Sequence, residues 1–115
     1  AAAALGQAAA LLPARARTHY NHGLALQQLG RRTEARAALR KARQLDASDP
    51  AIAYALAVFY VQQGPWELAL PHARDLITLA PGAPEPRELL RRIEAELSAE
   101  AERRLRQRKM RRVDG

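Results

Sequence analysis

The sequence contains no cysteine among its 115 residues, so neither a disulfide framework nor a thiolate metal site can form. It also has only five aromatic residues, although its hydrophobic content is 48%. Much of that hydrophobic content is alanine, which predicts a thin core formed by closely approaching helices. No apolar run approaches the ~20 residues that a membrane-spanning helix needs, so no membrane span is expected.

Residue patterns typical of catalysis are also missing. There is no nucleophile–base arrangement, no glycine-rich phosphate loop and no HExxH motif. His19 and His22 are three residues apart on one helical face, but no Cys, Asp or Glu in the same helix completes a metal site. We therefore expect these two histidines to be packed and hydrogen-bonded, and His72 to lie alone on an outer surface. The chain is predicted not to be an enzyme and to hold no metal and no cofactor.

The dominant feature of the sequence is one pattern written twice. Residues 16–49 align with residues 50–83 without a gap, which gives a period of 34 residues. Small, large and turn positions repeat together, and the matched pairs are Tyr20 with Tyr54, Gly23 with Ala57, Gly30 with Gly64, Ala35 with Ala69 and Leu45 with Leu79. A period of this length is typical of a solenoid of stacked supersecondary units.

Each copy predicts two helices joined by a tight turn. Gly30 stands where the end of a helix favours a left-handed residue, and Thr33 is predicted to cap the next helix. Pro71 falls inside the fourth predicted helix, and its missing N–H should bend that helix. The predicted helices are 16–29, 33–46, 51–63 and 66–80.

This unit resembles the tetratricopeptide repeat. The resemblance rests on small residues in the first helix, a large residue one turn later, a small residue opening the second helix and a closing proline. These are Gly23 and Ala57, Leu26 and Tyr60, Ala35 and Ala69, and Pro81. It implies an all-α fold, a right-handed α-solenoid of stacked helix-turn-helix repeats over 16–49 and 50–83. The first copy departs from the family because it has Ala47 at the position of the closing proline.

The segments that flank the two copies are assigned by the same register. When the 34-residue register is extended backwards, Pro13 takes the position of the closing proline of a preceding copy. Residues 1–13 are therefore interpreted as the second helix of a partial preceding repeat. The chain would then be a fragment of a longer array, and an N-terminal capping helix is the alternative. Residues 84–112 are interpreted as a C-terminal capping helix, predicted over 85–108, with a basic tail.

The resemblance also implies a function, because the first helices of such repeats line a concave groove that usually holds a peptide or a partner helix. The inward positions would be Arg17, Tyr20, Asn21, Leu24, Gln27, Gln28, Ala51, Tyr54, Ala55, Val58, Val61 and Gln62. Tyr20 and Tyr54 are either interface anchors or side chains packed between helices, and both alternatives stay open. The predicted partner is another protein or peptide of unknown identity.

Charge is arranged in basic, acidic and basic blocks within a net charge of +7. The last block, called the basic tail below, consists of Arg103, Arg104, Arg106, Arg108, Lys109, Arg111 and Arg112. We interpret it as a solvated helix end or linker, with an acidic partner or membrane surface, and nucleic acid, as weaker alternatives. The basic blocks lack aromatic side chains for base stacking, apart from Tyr20 on another helix face.

Two further questions stay open at the level of sequence. Exposed repeat ends would allow self-association, so a homo-oligomer is the alternative to a monomeric scaffold. No residue pattern identifies the compartment; the cytoplasm is the default expectation, and the periplasm stays open.

Overall fold

The computed structural model describes the backbone of residues 2–114 and the side chains of residues 11–113. Its elements are α1 (Ala2–Gln28), α2 (Arg32–Leu45), α3 (Pro50–Gln63), a 3₁₀ turn (Trp66–Leu68), α4 (Ala69–Leu79) and α5 (Glu85–Asp114). No strand occurs in the described part of the chain. Within that same part, none of the helices has both the length and the apolar character needed to cross a bilayer. The all-α class expected from the sequence is confirmed.

The first hairpin packs α1 against α2 around a glycine turn. Gly30 has φ 76°, and the Arg31 N–H donates to the Leu26 carbonyl at 2.9 Å while the Gly30 N–H donates to Gln27 at 3.1 Å. These two bonds form the Schellman arrangement that satisfies the last carbonyls of a helix. The predicted role of Gly30 is therefore confirmed. The predicted cap at Thr33 is wrong, because α2 begins at Arg32 after Arg31 and has no side-chain cap.

The second hairpin packs α3 against α4 and begins with a well-formed cap. The Asp49 carboxylate accepts from the Ala51 N–H at 2.9 Å, and Pro50 occupies the first helical position, where its missing N–H is not needed. At the other end of α3, Gly64 has φ 76°, and its N–H donates to the Tyr60 carbonyl at 2.7 Å.

The fourth predicted helix, 66–80, is present over Ala69–Leu79, but its predicted start is wrong. The chain instead forms the 3₁₀ turn Trp66–Leu68 and only then starts α4 at Ala69. Pro71 consequently lies in the first turn of α4, where backbone N–H groups have no partner within the helix. The proline is accommodated because the helix starts late.

A break at Pro13 is also not present. α1 is continuous from Ala2 to Gln28 with Pro13 inside it, so the expected separate helix over residues 1–12 is wrong. The expected packing of residues 1–10 as part of a preceding repeat lies outside the described side chains.

The core is thin and rich in alanine. The largest fully buried side chains are Leu39, Ile52, Leu56 and Ile93. Between them the helices approach through alanines with no exposed surface, namely Ala16, Ala35, Ala42, Ala53, Ala57, Ala69 and Ala73. Close helix contact therefore replaces bulky side chains, as the composition predicts.

The last helix closes the stack and then leaves it. α5 packs against α4 through Ile93, with Leu89, Leu90 and Leu97 half-buried around it. From Ala101 to Val113 every side chain is exposed. The helix continues to Asp114, beyond the predicted end at residue 108. Its length of 30 residues contributes to a molecule measuring 70 × 33 × 25 Å.

Candidate functional site

The predicted groove residues lie on α1 and α3, the first helices of the two hairpins. These helices are joined by polar contacts: Gln27 Nε2 donates to Gln62 Oε1 at 3.3 Å, and the Arg17 guanidinium lies 3.4 Å from the Asp49 carboxylate. Both contacts are on exposed surface, so each adds at most about 1 kcal/mol to the free energy of unfolding. They are weak contacts between the leading segments of the two hairpins, Gln27 with Gln62 and Arg17 with Asp49.

The twelve predicted residues divide by exposure into three groups. Exposed are Arg17, Asn21, Gln28, Ala51, Tyr54 and Gln62; half-buried are Tyr20, Leu24, Gln27, Ala55 and Val58. Val61 is only 8% exposed and belongs to the hydrophobic core with Phe59 and Tyr60, so a ligand has little of its surface to contact.

The two tyrosines that the sequence treats alike have different environments. The buried side chains form two clusters, and Tyr20 packs against both of them. Ala16 and Ile52 belong to the smaller cluster. Tyr54, by contrast, has 45% of its surface exposed. Tyr20 is therefore packed between helices, whereas Tyr54 has a large exposed aromatic surface.

The basic tail is exposed along its whole length. Arg103 lies 3.1 Å from the Glu96 carboxylate, and Arg106 lies 3.7 Å from Glu102. Both partners are on α5 itself, so these ion pairs support the helix and fix no contact with the rest of the molecule.

The histidines differ from the expectation. His19 is half-buried, but His22 is exposed, so the prediction that both pack against neighbouring helices is wrong for His22. In the described residues no group of three or more His, Cys, Asp or Glu side chains is close enough to hold a metal ion.

His72 is not on an outer surface, and that prediction is wrong. It is half-buried, and its ring is stacked on Tyr60 with centroids 6.0 Å apart and planes 11° apart. Its Nδ1 atom is buried and has no hydrogen-bond partner among the described residues. Burial lowers the pKa of His72 below its usual value of 6.5, Arg43 and Arg40 lower it further, and Asp75 opposes them.

His72 lines a cleft of about 300 Å³ that the sequence did not predict. The cleft lies between α2 and α4, and its lining residues are Arg40, Arg43, Gln44, Leu56, Tyr60, Leu68, Pro71 and His72. The repeat register contained a signal for it. His72 corresponds to Ala38 one period earlier, and Ala38 is only 8% exposed. A histidine at this inward position requires space that alanine does not.

Three comparisons with known proteins complete the description. The family model described as tetratricopeptide repeat matches residues 20–84. A search of curated proteins found no match. Among solved structures, a chain from the crystal structure of the APC/C hetero-tetramer Cut9-Hcn1 is similar, with 27% identity and a TM-score of 0.62. The similarity covers 68% of this chain and only 15% of that chain.

The family match falls on the same two hairpins that carry the 34-residue period and the predicted groove residues. It spans more than half of the chain, and the similar structure independently supports the arrangement of stacked helices. The chain belongs to the tetratricopeptide repeat family.

Proposed function

We propose that this chain is a protein-interaction scaffold that holds a peptide or a helix of another protein along α1 and α3. The observation that carries the proposal is the exposure of Tyr54, at 45%, on a helix whose other large apolar side chains are buried or half-buried. Tyrosine offers a large contact area with few rotatable bonds, which makes it common at protein interfaces.

Other predicted groove residues on the two first helices support this function. Leu24 and Val58 are half-buried and contribute apolar surface, whereas Asn21 and Gln62 are exposed amides. Amide side chains both donate and accept hydrogen bonds, so they suit the backbone of a bound polypeptide. The surface therefore combines an aromatic anchor with polar groups that would orient a chain.

The test starts from a phage-displayed peptide library selected against the full chain. Affinities of the selected peptides are then measured by fluorescence anisotropy for the original chain and for Tyr54→Ala. We expect Tyr54→Ala to weaken binding by about tenfold or more, as loss of an interface anchor does. Leu105→Ala is the matched control, because Leu105 is 54% exposed and lies on α5, outside the α1–α3 surface.

Two outcomes would reject the groove. Peptides that bind the Tyr54→Ala variant as tightly as the original chain would place the contact elsewhere. Selection of no peptide at all would remove the scaffold function for short segments. Circular dichroism of both variants is the control for folding, and neither side chain belongs to the buried core.

Self-association is the second candidate function. Leu11 and Leu12 are neighbours on α1 and are 59% and 43% exposed. Adjacent exposed apolar side chains often mark an interface, and a second copy of the chain is one occupant. Sedimentation equilibrium over a wide concentration range tests it: dimerisation that Leu11→Glu abolishes supports this function, and a monomer at every concentration rejects it.

A further inference from the structure

The cleft that contains His72 is separate from the α1–α3 surface. It is bounded by the second helices of the two hairpins, and it shares no residue with the predicted groove. Its apolar part is formed by Leu56, Tyr60, Leu68 and Pro71, of which Leu68 is 46% exposed. Its volume of about 300 Å³ is at the lower end of the range for small-molecule sites. The cleft is therefore large enough for one small apolar group.

The polar part of the cleft carries positive charge. Arg40 is exposed at its edge, and Arg43 lies beside it on α2 with its side chain only 14% exposed. Arg43 is held in place because it donates to the Ala47 carbonyl and to the Asp75 carboxylate. Asp75 belongs to a neighbouring, smaller cleft, and no carboxylate lines the His72 cleft among the described residues.

These features define the chemistry of a complementary ligand. An apolar body would cover Leu68 and Pro71, which are both exposed, and an anionic group would face Arg40. A planar carboxylate suits a guanidinium, which donates two parallel hydrogen bonds. A ligand ring cannot bind by stacking on Tyr60, because Tyr60 is only 3% exposed and one face of its ring is covered by His72.

We propose that the cleft between α2 and α4 binds a small organic acid, a single carboxylate on an aromatic or branched apolar body. The carboxylate lies against Arg40 and Gln44, and the apolar body occupies the space above Leu68 and Pro71. This function is independent of peptide binding along α1 and α3. The molecule would therefore carry two binding surfaces that have no residue in common.

The probe for the test is 3-phenylpropanoate, with 3-phenylpropanamide as the uncharged control of the same shape. Binding is followed by backbone amide and histidine ring shifts in NMR spectra of the full chain. We expect the acid to bind at millimolar concentration and at least about tenfold more tightly than the amide, because only the acid pairs with a guanidinium. Shifts should concentrate on His72, Leu68 and Arg40.

Variants separate this site from general attraction to a basic protein. Arg40→Gln should weaken binding of the acid about tenfold, whereas Lys41→Gln removes the same charge from the next residue and should have little effect. Both residues are exposed, so both variants should fold. Binding should also raise the pKa of His72, whose surroundings are Arg40 and Arg43 on α2, Tyr60 on α3 and Asp75 on α4.

Several results would overturn the proposal. Equal binding of acid and amide, or equal loss in the two variants, would mean that no carboxylate site exists at Arg40. Shifts centred on Tyr54 would assign the probe to the α1–α3 surface. A peptide ending in phenylalanine with a free carboxylate is the last arm, and much tighter binding of that peptide would identify a polypeptide end as the ligand in place of a small acid.

Discussion

Gly23 on α1 lies against Leu39 on α2 so closely that a Cβ atom at Gly23 would come within 2.9 Å of the Leu39 side chain. Leu39 is fully buried, so its side chain has no solvent-filled space into which it can rotate. Gly23 is therefore needed because the two helices lie so close together at this point. Its backbone conformation, which is that of an ordinary helical residue, would itself allow an alanine. This contact fixes the spacing of the first hairpin.

Overpacking a core costs about 1–3 kcal/mol, and replacing a helical glycine by alanine gains up to about 1 kcal/mol in helix propensity. Gly23→Ala should therefore lower the free energy of unfolding by about 0.5–2 kcal/mol net. Urea unfolding followed by circular dichroism measures it. Gly82→Ala is the control, because a Cβ there meets nothing within 4 Å. An unchanged or increased stability of Gly23→Ala would contradict the close approach.

Ile93→Ala should detach α5 from the second hairpin. Ile93 is fully buried, and replacing such a side chain by alanine costs about 2–5 kcal/mol. Leu105→Ala on the same helix is the matched control and should change stability by less than about 0.5 kcal/mol, since Leu105 is 54% exposed. Similar unfolding midpoints for the two variants would mean that α5 does not cover the stack.

The pKa of His72 should lie below 6.5, because burial and the nearby Arg43 and Arg40 disfavour its charged form more than Asp75 favours it. The folded state then holds the proton more weakly than the unfolded state. The stabilising contribution is fully present above the unfolded pKa near 6.5, and it is lost as the pH falls through the folded pKa.

Proton NMR titration of the His72 ring measures this pKa directly, and Asp75→Asn should lower it further by removing the opposing charge. Unfolding measured at about pH 7.5 and about pH 5.0, on either side of an ordinary histidine pKa, tests the linkage. His72→Gln should reduce the difference between the two pH values. A titration at or above 6.5 would show that burial does not govern this histidine.

Deletion of residues 103–115 should leave the free energy of unfolding unchanged within about 0.5 kcal/mol. The reason is that every side chain from Ala101 to Val113 is exposed, and the tail's ion pairs are with other residues of α5. Chemical denaturation of the shortened and full chains makes the comparison. A clear loss of stability would indicate a contact of the basic tail with the helical stack.

Much of the fold could be predicted because its signals are local. The turn glycines Gly30 and Gly64 both have a positive φ, and the paired helices follow the 34-residue period. The errors occur at prolines and at polar residues on helix faces. The repeat register predicts a break at Pro13, and the missing N–H predicts a bend at Pro71. The cost of a proline depends instead on where the helix starts and on what surrounds it.

The candidate site was predicted less completely than the fold. Tyr20 and Tyr54 occupy equivalent positions in the two copies, yet only Tyr54 is largely exposed. Tyr20 packs against Ala16, Ala42 and Ile52, and Ile52 comes from the other copy. Two positions that are equivalent in the repeat can therefore have different neighbours on other helices.

The sequence by itself determined the repeat length, the helical class and the turn positions, because hydrogen bonds and backbone preferences act between residues close together in the chain. Tertiary structure alone decided that Tyr54 faces outward, that Gly23 receives the Leu39 side chain and that His72 lines a cationic cleft. Burial and charge at those positions are set by residues of other helices, and helix packing alone brings them together.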